Sequence, residues 1–285
     1  MMGNTATPEM AAMLYGLVSA ASWGAGDFSG GLATRAGSVV GVLFISYLAS
    51  VLLLTGCALG LGSPVPDVSS LTAGALAGPT GLIGLAALYR GLASGRMGIV
   101  APVAAVTTAV LPILLGMFWE GIPSSYQMAG FVAAFAAIWL LSAPEKSHEF
   151  QWRQIALPIT AGLFLGVSLI LIDQAAEQSV LWSLVANRVT GLAVIVVLLA
   201  VFRRGAMPAG KSYPMVCLAA IFDTGGYTFY ALAARTGRLD TAAVLACMYP
   251  AATVILARLL LKEHLSPRQL YGVMAALAAL ALIAA

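Results

Sequence analysis

The chain has 285 residues, of which 61% are hydrophobic and only 9% are charged, and its mean hydropathy is +0.96. Apolar runs recur from one end to the other, which excludes a water-soluble domain and predicts a polytopic membrane protein. The net charge of +3 comes from scattered basic residues without a dense cluster, which argues against a nucleic-acid partner.

Charged, proline-containing or turn-forming breaks divide the chain into ten apolar segments, each close to the roughly 20 residues that a spanning helix needs. In chain order, the predicted transmembrane helices cover residues 11–33, 38–61, 71–89, 97–118, 123–142, 155–176, 181–202, 213–234, 239–260 and 266–285. The polar stretches between them are short, which leaves no room for a catalytic domain outside the bilayer. The predicted fold class is therefore an all-α polytopic membrane protein with ten transmembrane helices.

An internal repeat is predicted around the middle of the chain. A shift of 142 residues places "SSYQMAG" (124–130) on "SPRQLYG" (266–272), and a shift of 146 places Asp27 on Asp173. Because each half holds five predicted helices, an odd number, the second half enters the membrane from the side opposite to the first. The predicted organisation is two inverted five-helix repeats, 11–142 and 155–285, joined by a loop at 143–154.

Four motifs occur in a characteristic order. They are "SAASWGAGDF" (19–28), a Gly-Arg turn before the fourth and the ninth helix, "ANRVTG" (186–191) and "KEHLSPRQLYG" (262–272). In this order they resemble the EamA-type ten-helix exporters of the drug/metabolite transporter superfamily, including its aromatic amino acid exporters. The resemblance implies a secondary transporter, not an enzyme, that exports amino acids or other small metabolites across the bacterial inner membrane. Two positions depart from the pattern, since Tyr47 stands where a matching arginine is expected and Asp27 where many relatives have Asn or another polar residue.

Four ionisable residues lie within apolar segments: Asp27, Asp173, Arg188 and Asp223. An ionisable group inside a bilayer costs several kcal/mol and is by default a functional hypothesis. The three aspartates are therefore candidates for proton coupling. Asp27 and Asp173 lie toward one end of their predicted helices, so a helix cap or a surface group near the membrane interface is the alternative interpretation.

Asp223 shares one helix face with Tyr227 and Tyr230, at positions i, i+4 and i+7. A carboxylate and two phenols favour the wall of a cavity, and the alternative is a structural ion pair with Arg188. Arg188, beside Asn187, either holds a substrate carboxylate or clamps helices together.

Aromatic residues complete the candidate binding set. Each of four aromatic residues either lines a cavity or belongs to the interfacial belt or to packing: Trp23, Tyr47, Tyr89 and Tyr249. The belt is favoured most for Tyr89, which is next to Arg90. The candidate substrate-binding residues are Trp23, Asp27, Tyr47, Tyr89, Asn187, Arg188, Asp223, Tyr227, Tyr230 and Tyr249.

Motifs of other chemistries are missing from the sequence. It contains no HExxH, Walker A or GxSxG pattern, and Cys57, Cys217 and Cys247 lie in apolar runs without a CxxC pair. We therefore expect no cofactor, no metal site and no disulfide.

The distribution of basic residues predicts the orientation. Only Arg235 and Arg238, of the 14 Lys and Arg residues, lie in a polar stretch after an even-numbered predicted helix. The positive-inside rule then places both termini outside, whereas the family resemblance implies cytoplasmic termini.

The leading functional hypothesis is export of amino acids, including aromatic ones, by alternating access around a midplane cavity. Efflux of hydrophobic cationic drugs is one alternative, and a membrane enzyme or lipid-handling scaffold is another. Ten helices suffice to enclose a pathway, so we expect a functional monomer whose partners are membrane lipid and a small-molecule substrate.

Overall fold

The computed structural model describes residues 8–35, 37–93, 97–142, 156–202, 208, 210–252 and 267–283. The α-helices within these ranges are α1 (Pro8–Arg35), α2 (Val39–Gly60), α3 (Val68–Ala93), α4 (Met97–Trp119), α5 (Ser125–Ser142), α6 (Ala156–Ala175), α7 (Val180–Phe202), α8 (Tyr213–Thr236), α9 (Leu239–Ala246) and α10 (Pro267–Ile283). With the exception of α9, each helix begins and ends within a few residues of its predicted bounds.

Within the described ranges, six helices are long and apolar enough to cross a membrane: α2, α3, α4, α6, α7 and α8. The helices at 125–140, 239–252 and 270–283 are apolar but shorter. α1 has 28 residues, but glycine, serine and charged side chains dilute its apolar content. The protein is thus an all-helical, multi-pass membrane protein, and the count of ten spans stays a prediction.

The predicted ninth span, 239–260, is helical but interrupted over the part that is described. Regular α9 ends at Ala246, residues 247–248 form a turn, and helical backbone resumes at 249–252. Pro250 has no N–H and cannot donate to the carbonyl four residues earlier, so the helix breaks ahead of it. The Ala251 N–H donates to the Met248 carbonyl, at 2.9 Å, over a tighter turn. Residues 253–260 lie outside the described ranges.

The helices pack in pairs that mirror one another. α1 packs along α8 and α3 along α6, while α2 pairs with α7, α4 with α9, and α5 with α10. Exchanging the first five helices for the last five turns the α1–α8 pair into the α6–α3 pair and maps the other three pairs onto themselves. The helix pairing is therefore unchanged when the two halves are exchanged, and the inverted repeat stays a prediction.

Glycines at GxxxG spacing allow the closest of these crossings. A Cβ added at Gly26 of α1 would lie 3.2 Å from the backbone nitrogen of Asp223, and one at Gly74 of α3 would lie 2.6 Å from the Ser183 carbonyl oxygen. A Cβ at Gly166 of α6 would lie 2.7 Å from the carbonyl oxygen of Thr108. Such distances leave no room for a side chain, so these glycines bring the helix backbones into direct contact.

Candidate functional site

A buried arginine forms the centre of the site. Arg188 on α7 is 1% exposed, and its Nη2 lies 2.7 Å from Oδ2 of Asp223 on α8. Its guanidinium carbon lies 4.8 Å from the ring centre of Tyr47 on α2 and 4.7 Å from that of Tyr227 on α8. One ion pair and two cation–π contacts thus tie three helices together.

Asp223 combines the two alternatives that the sequence left open, since it pairs with Arg188 and also lines the cavity described below. The structural ion pair between Arg188 and Asp223 is present. Tyr47, which stands where the first half lacks its matching arginine, offers its ring to the arginine of the second half. The side chain of Arg188 is therefore oriented by fixed partners on both neighbouring helices.

Trp23 extends the aromatic cluster onto α1. Its ring meets Tyr227 edge-on at 5.1 Å between centroids and stacks on Tyr230 at 6.0 Å. The Tyr230 hydroxyl donates to the carbonyl of Leu169 at 3.3 Å. Opposite the indole lies Gly226, where any side chain would overlap the Trp23 ring. The cluster is consequently held by ring contacts, a hydrogen bond and a glycine that leaves it room.

A small cavity of about 30 Å³ lies beside this cluster. Its wall comes from α1, α3, α4, α6, α8 and the segment after α9, through Trp23, Asp27, Leu85, Leu88, Thr108, Leu165, Leu169, Asp223, Tyr227 and Tyr249. A water needs roughly 10–15 Å³ of such space, so the cavity has room for about two waters but not for an amino acid. The protein is therefore in a conformation that is closed around the site.

Asp27 is the carboxylate of this cavity without a counter-ion. It is 8% exposed, and among the described residues it makes neither a salt bridge nor a hydrogen bond. Its electrostatic neighbour is Asp223, which repels it. Since the guanidinium of Arg188 is committed to Asp223, the site as a whole carries one uncompensated acidic group. Such a group inside a membrane requires a proton or a cation.

Five predicted site residues are buried but contribute nothing to the cavity wall: Tyr47, Tyr89, Asn187, Arg188 and Tyr230. Tyr89 is 1% exposed, so assignment to the interfacial belt is wrong. α3 continues to Ala93, which places Tyr89 a full turn inside the helix, with its ring against Gly30 of α1. Asn187 is also 1% exposed, and no partner for its amide is found among the described residues.

The remaining predicted residues differ in position. Tyr249 lines the cavity, and its hydroxyl donates to the carbonyl of Ala101 at 3.5 Å. Asp173 lies two residues from the end of α6, is half-buried, and has Glu120 and Glu177 as its acidic neighbours. It is separate from the cavity, and its position matches the surface-group alternative. Asp27, by contrast, is buried and is no surface group.

Sequence reasoning missed the small hydroxyls of the site. Thr108 lines the cavity while donating to the carbonyl of Ala104 at 2.8 Å, and Ser168 donates across helices to the carbonyl of Ala77 at 3.1 Å. A hydroxyl bonded to a helix carbonyl is common in apolar helices. The sequence therefore offers no signal that separates these two from packing residues.

A polar clamp lies at one end of the bundle, here called the terminal face because α1 begins and α10 ends there. Arg238, between α8 and α9, donates from Nη1 to the carbonyl of Glu120 at 3.1 Å and from Nη2 to that of Gly121 at 2.7 Å. Its Nη2 also pairs with Oδ2 of Asp240 at 2.8 Å. The carboxylate of Glu120 accepts from the backbone N–H of Leu239, at 3.0 and 3.1 Å from its two oxygens. The turn after α4 is thereby fastened to the start of α9.

The electrostatics of this clamp keep it closed. The hydrogen bond from Arg238 to Asp240 raises the pKa of the guanidinium, which therefore stays charged. Burial raises the pKa of Glu120, against the lowering effect of the hydrogen bond from Leu239. Below the clamp every residue of α9 is buried. The terminal face is therefore sealed above the cavity.

Comparisons with known proteins agree with this architecture. Residues 152–285 match the model of the EamA-like transporter family. Twenty-six chains of solved structures match, and one, titled only "Crystal structure of protein", covers 95% of this chain and 95% of its own with a TM-score of 0.74. At 18% identity, that likeness shows the fold alone. None of the curated proteins matches the chain.

The family match covers nearly the same residues as the predicted second repeat. It supports assignment to the drug/metabolite transporter superfamily, whose EamA-like members are transporters rather than enzymes. The protein is therefore a multi-pass membrane protein whose second half matches a family of transporters.

Proposed function

We propose that the protein is a secondary transporter that exports small amine-bearing metabolites, chiefly amino acids including aromatic ones, across the bacterial inner membrane. The observation that carries the proposal is the unpaired carboxylate of Asp27 in a buried, partly aromatic cavity. An ammonium group compensates that charge, and a proton replaces the ammonium when no substrate is bound. Trp23, Tyr227 and Tyr249 offer aromatic surface to the rest of the substrate.

The transport cycle is alternating access between two inverted repeats, 11–142 and 155–285. The mirrored helix pairing supports this organisation. The cavity is lined by α1, α3 and α4 of the first half, and by α6, α8 and the segment after α9 of the second half. The sealed terminal face and the small cavity correspond to a closed state of the cycle. Export requires that the clamp at Arg238 opens in another state.

Efflux of hydrophobic cations is the second candidate, and one observation favours it. Arg188 is paired with Asp223 and is absent from the cavity wall, so the wall as described presents two carboxylates and no cationic group. A monocation neutralises the excess charge of the site, whereas a zwitterion also brings a carboxylate that must find a donor. The two candidates therefore differ in whether the substrate needs its carboxyl group.

Counterflow in proteoliposomes tests the proposal. Liposomes loaded with unlabelled phenylalanine, leucine or alanine are expected to accumulate labelled phenylalanine. Liposomes loaded with unlabelled phenethylamine and supplied with labelled phenethylamine serve as the matched test for the carboxyl group. Exchange only with the amine establishes the second candidate. If folded protein exchanges neither compound faster than empty liposomes do, both candidates are wrong.

The clamp predicts a measurable change in access. Replacing Arg238 by Gln removes both hydrogen bonds to the α4–α5 turn, and we expect the terminal face to open more often. Cys247 is a native reporter, since it is fully buried directly after α9. In a background with Cys57→Ser and Cys217→Ser, labelling of Cys247 by a maleimide is expected to be about tenfold faster in Arg238→Gln, which corresponds to a loss of about 1.4 kcal/mol of closure.

Arg235→Gln is the matched control, because Arg235 is an exposed arginine at the end of α8 near the same face. The labelling rate of Cys247 in Arg235→Gln should equal that in the parent. Equal rates for Arg238→Gln and Arg235→Gln would show that the clamp does not hold the face closed. A reagent that cannot cross the membrane also reports which side the terminal face occupies, and hence tests the predicted outside location of the termini.

A further inference from the structure

A second and far larger cavity, of about 780 Å³, lies at the terminal face. We call it the lateral groove. Its long wall is the first part of α1, and the start of α5, the end of α10 and the α8–α9 turn complete it. Met10 and Leu14 on its wall are 54% and 55% exposed, so the groove opens to the surroundings of the bundle. It shares no residue with the small cavity at Asp27.

The wall from α1 is an apolar stripe. Met10, Met13, Leu14 and Leu17 follow the i, i+3, i+4, i+7 spacing of one helix face. From the start of α1 at Pro8 to Leu17 the helix rises about 14 Å, at about 1.5 Å per residue. That length is close to half of the roughly 30 Å hydrocarbon core of a bilayer. The stripe therefore matches the depth of one lipid leaflet.

The end of the groove at the terminal face carries hydrogen-bond donors. Ser124 and Gln127 form a reciprocal cap at the start of α5, in which the Ser124 N–H donates to Gln127 Oε1 at 3.0 Å and the Gln127 N–H donates to Ser124 Oγ at 3.2 Å. Within the described residues, this leaves the Ser124 hydroxyl proton and the Gln127 amide N–H groups without an acceptor. Arg238 uses four of its five N–H groups in the clamp, which leaves one on Nη1. Three donor side chains, one of which is cationic, suit the oxygens of a phosphate.

A carboxylate lines the same groove as these donors. Glu9 is exposed at the start of α1 and lines the same groove. A carboxylate next to a phosphate site favours a ligand that carries an ammonium group a few bonds away from its phosphate.

We propose that the lateral groove binds one phospholipid with a phosphoethanolamine headgroup from the leaflet at the terminal face. The phosphate accepts hydrogen bonds from Ser124, Gln127 and Arg238, the ammonium group pairs with Glu9, and an acyl chain lies along the stripe of α1. The site uses a different cavity from the transport proposed above, and it shares Arg238 with the clamp.

Native mass spectrometry of the delipidated protein tests this site. Titration with phosphatidylethanolamine is expected to give one tightly held adduct, and phosphatidylglycerol, which lacks the ammonium group, is expected to bind up to about fivefold more weakly. Leu14→Trp places a bulky ring on the stripe of α1, in the path of the acyl chain, and should weaken the tight adduct. Leu52→Trp is the matched control, since Leu52 on α2 is 68% exposed and lies outside the groove, and it should keep the adduct.

Glu9→Gln tests recognition of the headgroup without disturbing folding, because Glu9 is an exposed side chain. It should retain the adduct but bind the two lipids equally, with an unchanged unfolding temperature. Adducts of equal affinity in Leu14→Trp and Leu52→Trp would overturn the site. Equal affinity of the unmodified protein for the two lipids would overturn the assigned headgroup.

Discussion

Asp223→Asn is expected to lower the free energy of unfolding by about 3–5 kcal/mol, because it leaves Arg188 buried without its counter-ion. The guanidinium is 1% exposed and lies between two tyrosine rings, so its charge stays inside the bundle after the carboxylate is lost. The cation–π contacts remain, but they do not supply a negative charge. The measurement is equilibrium unfolding in mixed micelles, followed by the fluorescence of Trp23 and the other tryptophans.

The double variant Arg188→Leu/Asp223→Asn is the decisive control. Removing both charges replaces a buried ion pair by groups without charge, and such replacements are often close to neutral. We therefore expect the double variant to recover most of the loss. Asp173→Asn, which changes an aspartate without an ion pair among the described residues, should stay within about 1 kcal/mol of the parent. An Asp223→Asn protein as stable as the parent would mean that the pair does not hold α7 to α8.

The same ion pair shows what sequence patterns are able to predict. Arg188 and Asp223 stand out because a charge in an apolar helix is costly wherever its partner lies. The sequence pattern places both residues in the interior. A structural ion pair between them was one interpretation, and the wall of a cavity was the other. The choice depends on how far α7 is rotated against α8, which follows from packing between helices distant in sequence.

Sequence patterns predict the fold to an extent similar to that for the ion pair. Long apolar runs place the helices because bilayer thickness sets a minimum length for each one. The break after Ala246 was missed because Pro250 sits in a run that is otherwise apolar, and a proline in a membrane helix produces either a kink or a break according to its neighbours. The environment of Tyr89 was misjudged for a related reason. Arg90 next to it indicated a helix end, but successive residues of a helix point in different directions, and only Arg90 is exposed.

The cavity at Asp27 depends both on the positions of the helices and on the ion pair. Asp27 and Asp223 come from α1 and α8, which meet at Gly26, so a glycine spacing visible in the sequence brings two acidic residues of different halves to one site. Only one of them has a basic partner. Two aspartates that look equivalent in the sequence therefore differ in their surroundings, since Asp223 is paired with Arg188 and Asp27 is not, and we propose a binding role for Asp27.

Asp27→Asn is accordingly expected to do the opposite of Asp223→Asn. The amide has the same shape but no charge, so it removes the repulsion with Asp223 and the burial of an unpaired acid, and stability should be unchanged or higher. Substrate binding should weaken by about 10- to 100-fold, since a hydrogen bond to a charged group contributes about 1.5–3 kcal/mol. The measurement is the half-saturation concentration for phenylalanine in counterflow, together with unfolding in micelles.

The control for this second prediction is again Asp173→Asn, which alters a carboxylate in a helix but outside the cavity. It should transport like the parent. Loss of transport in Asp27→Asn together with a loss of stability would assign Asp27 a structural role, as for Asp223. Normal transport by a stable Asp27→Asn protein would remove this carboxylate from the substrate site, even if the protein is a transporter. Only the combination of intact folding and weakened binding agrees with a buried acid kept unpaired so that a cationic group is able to enter.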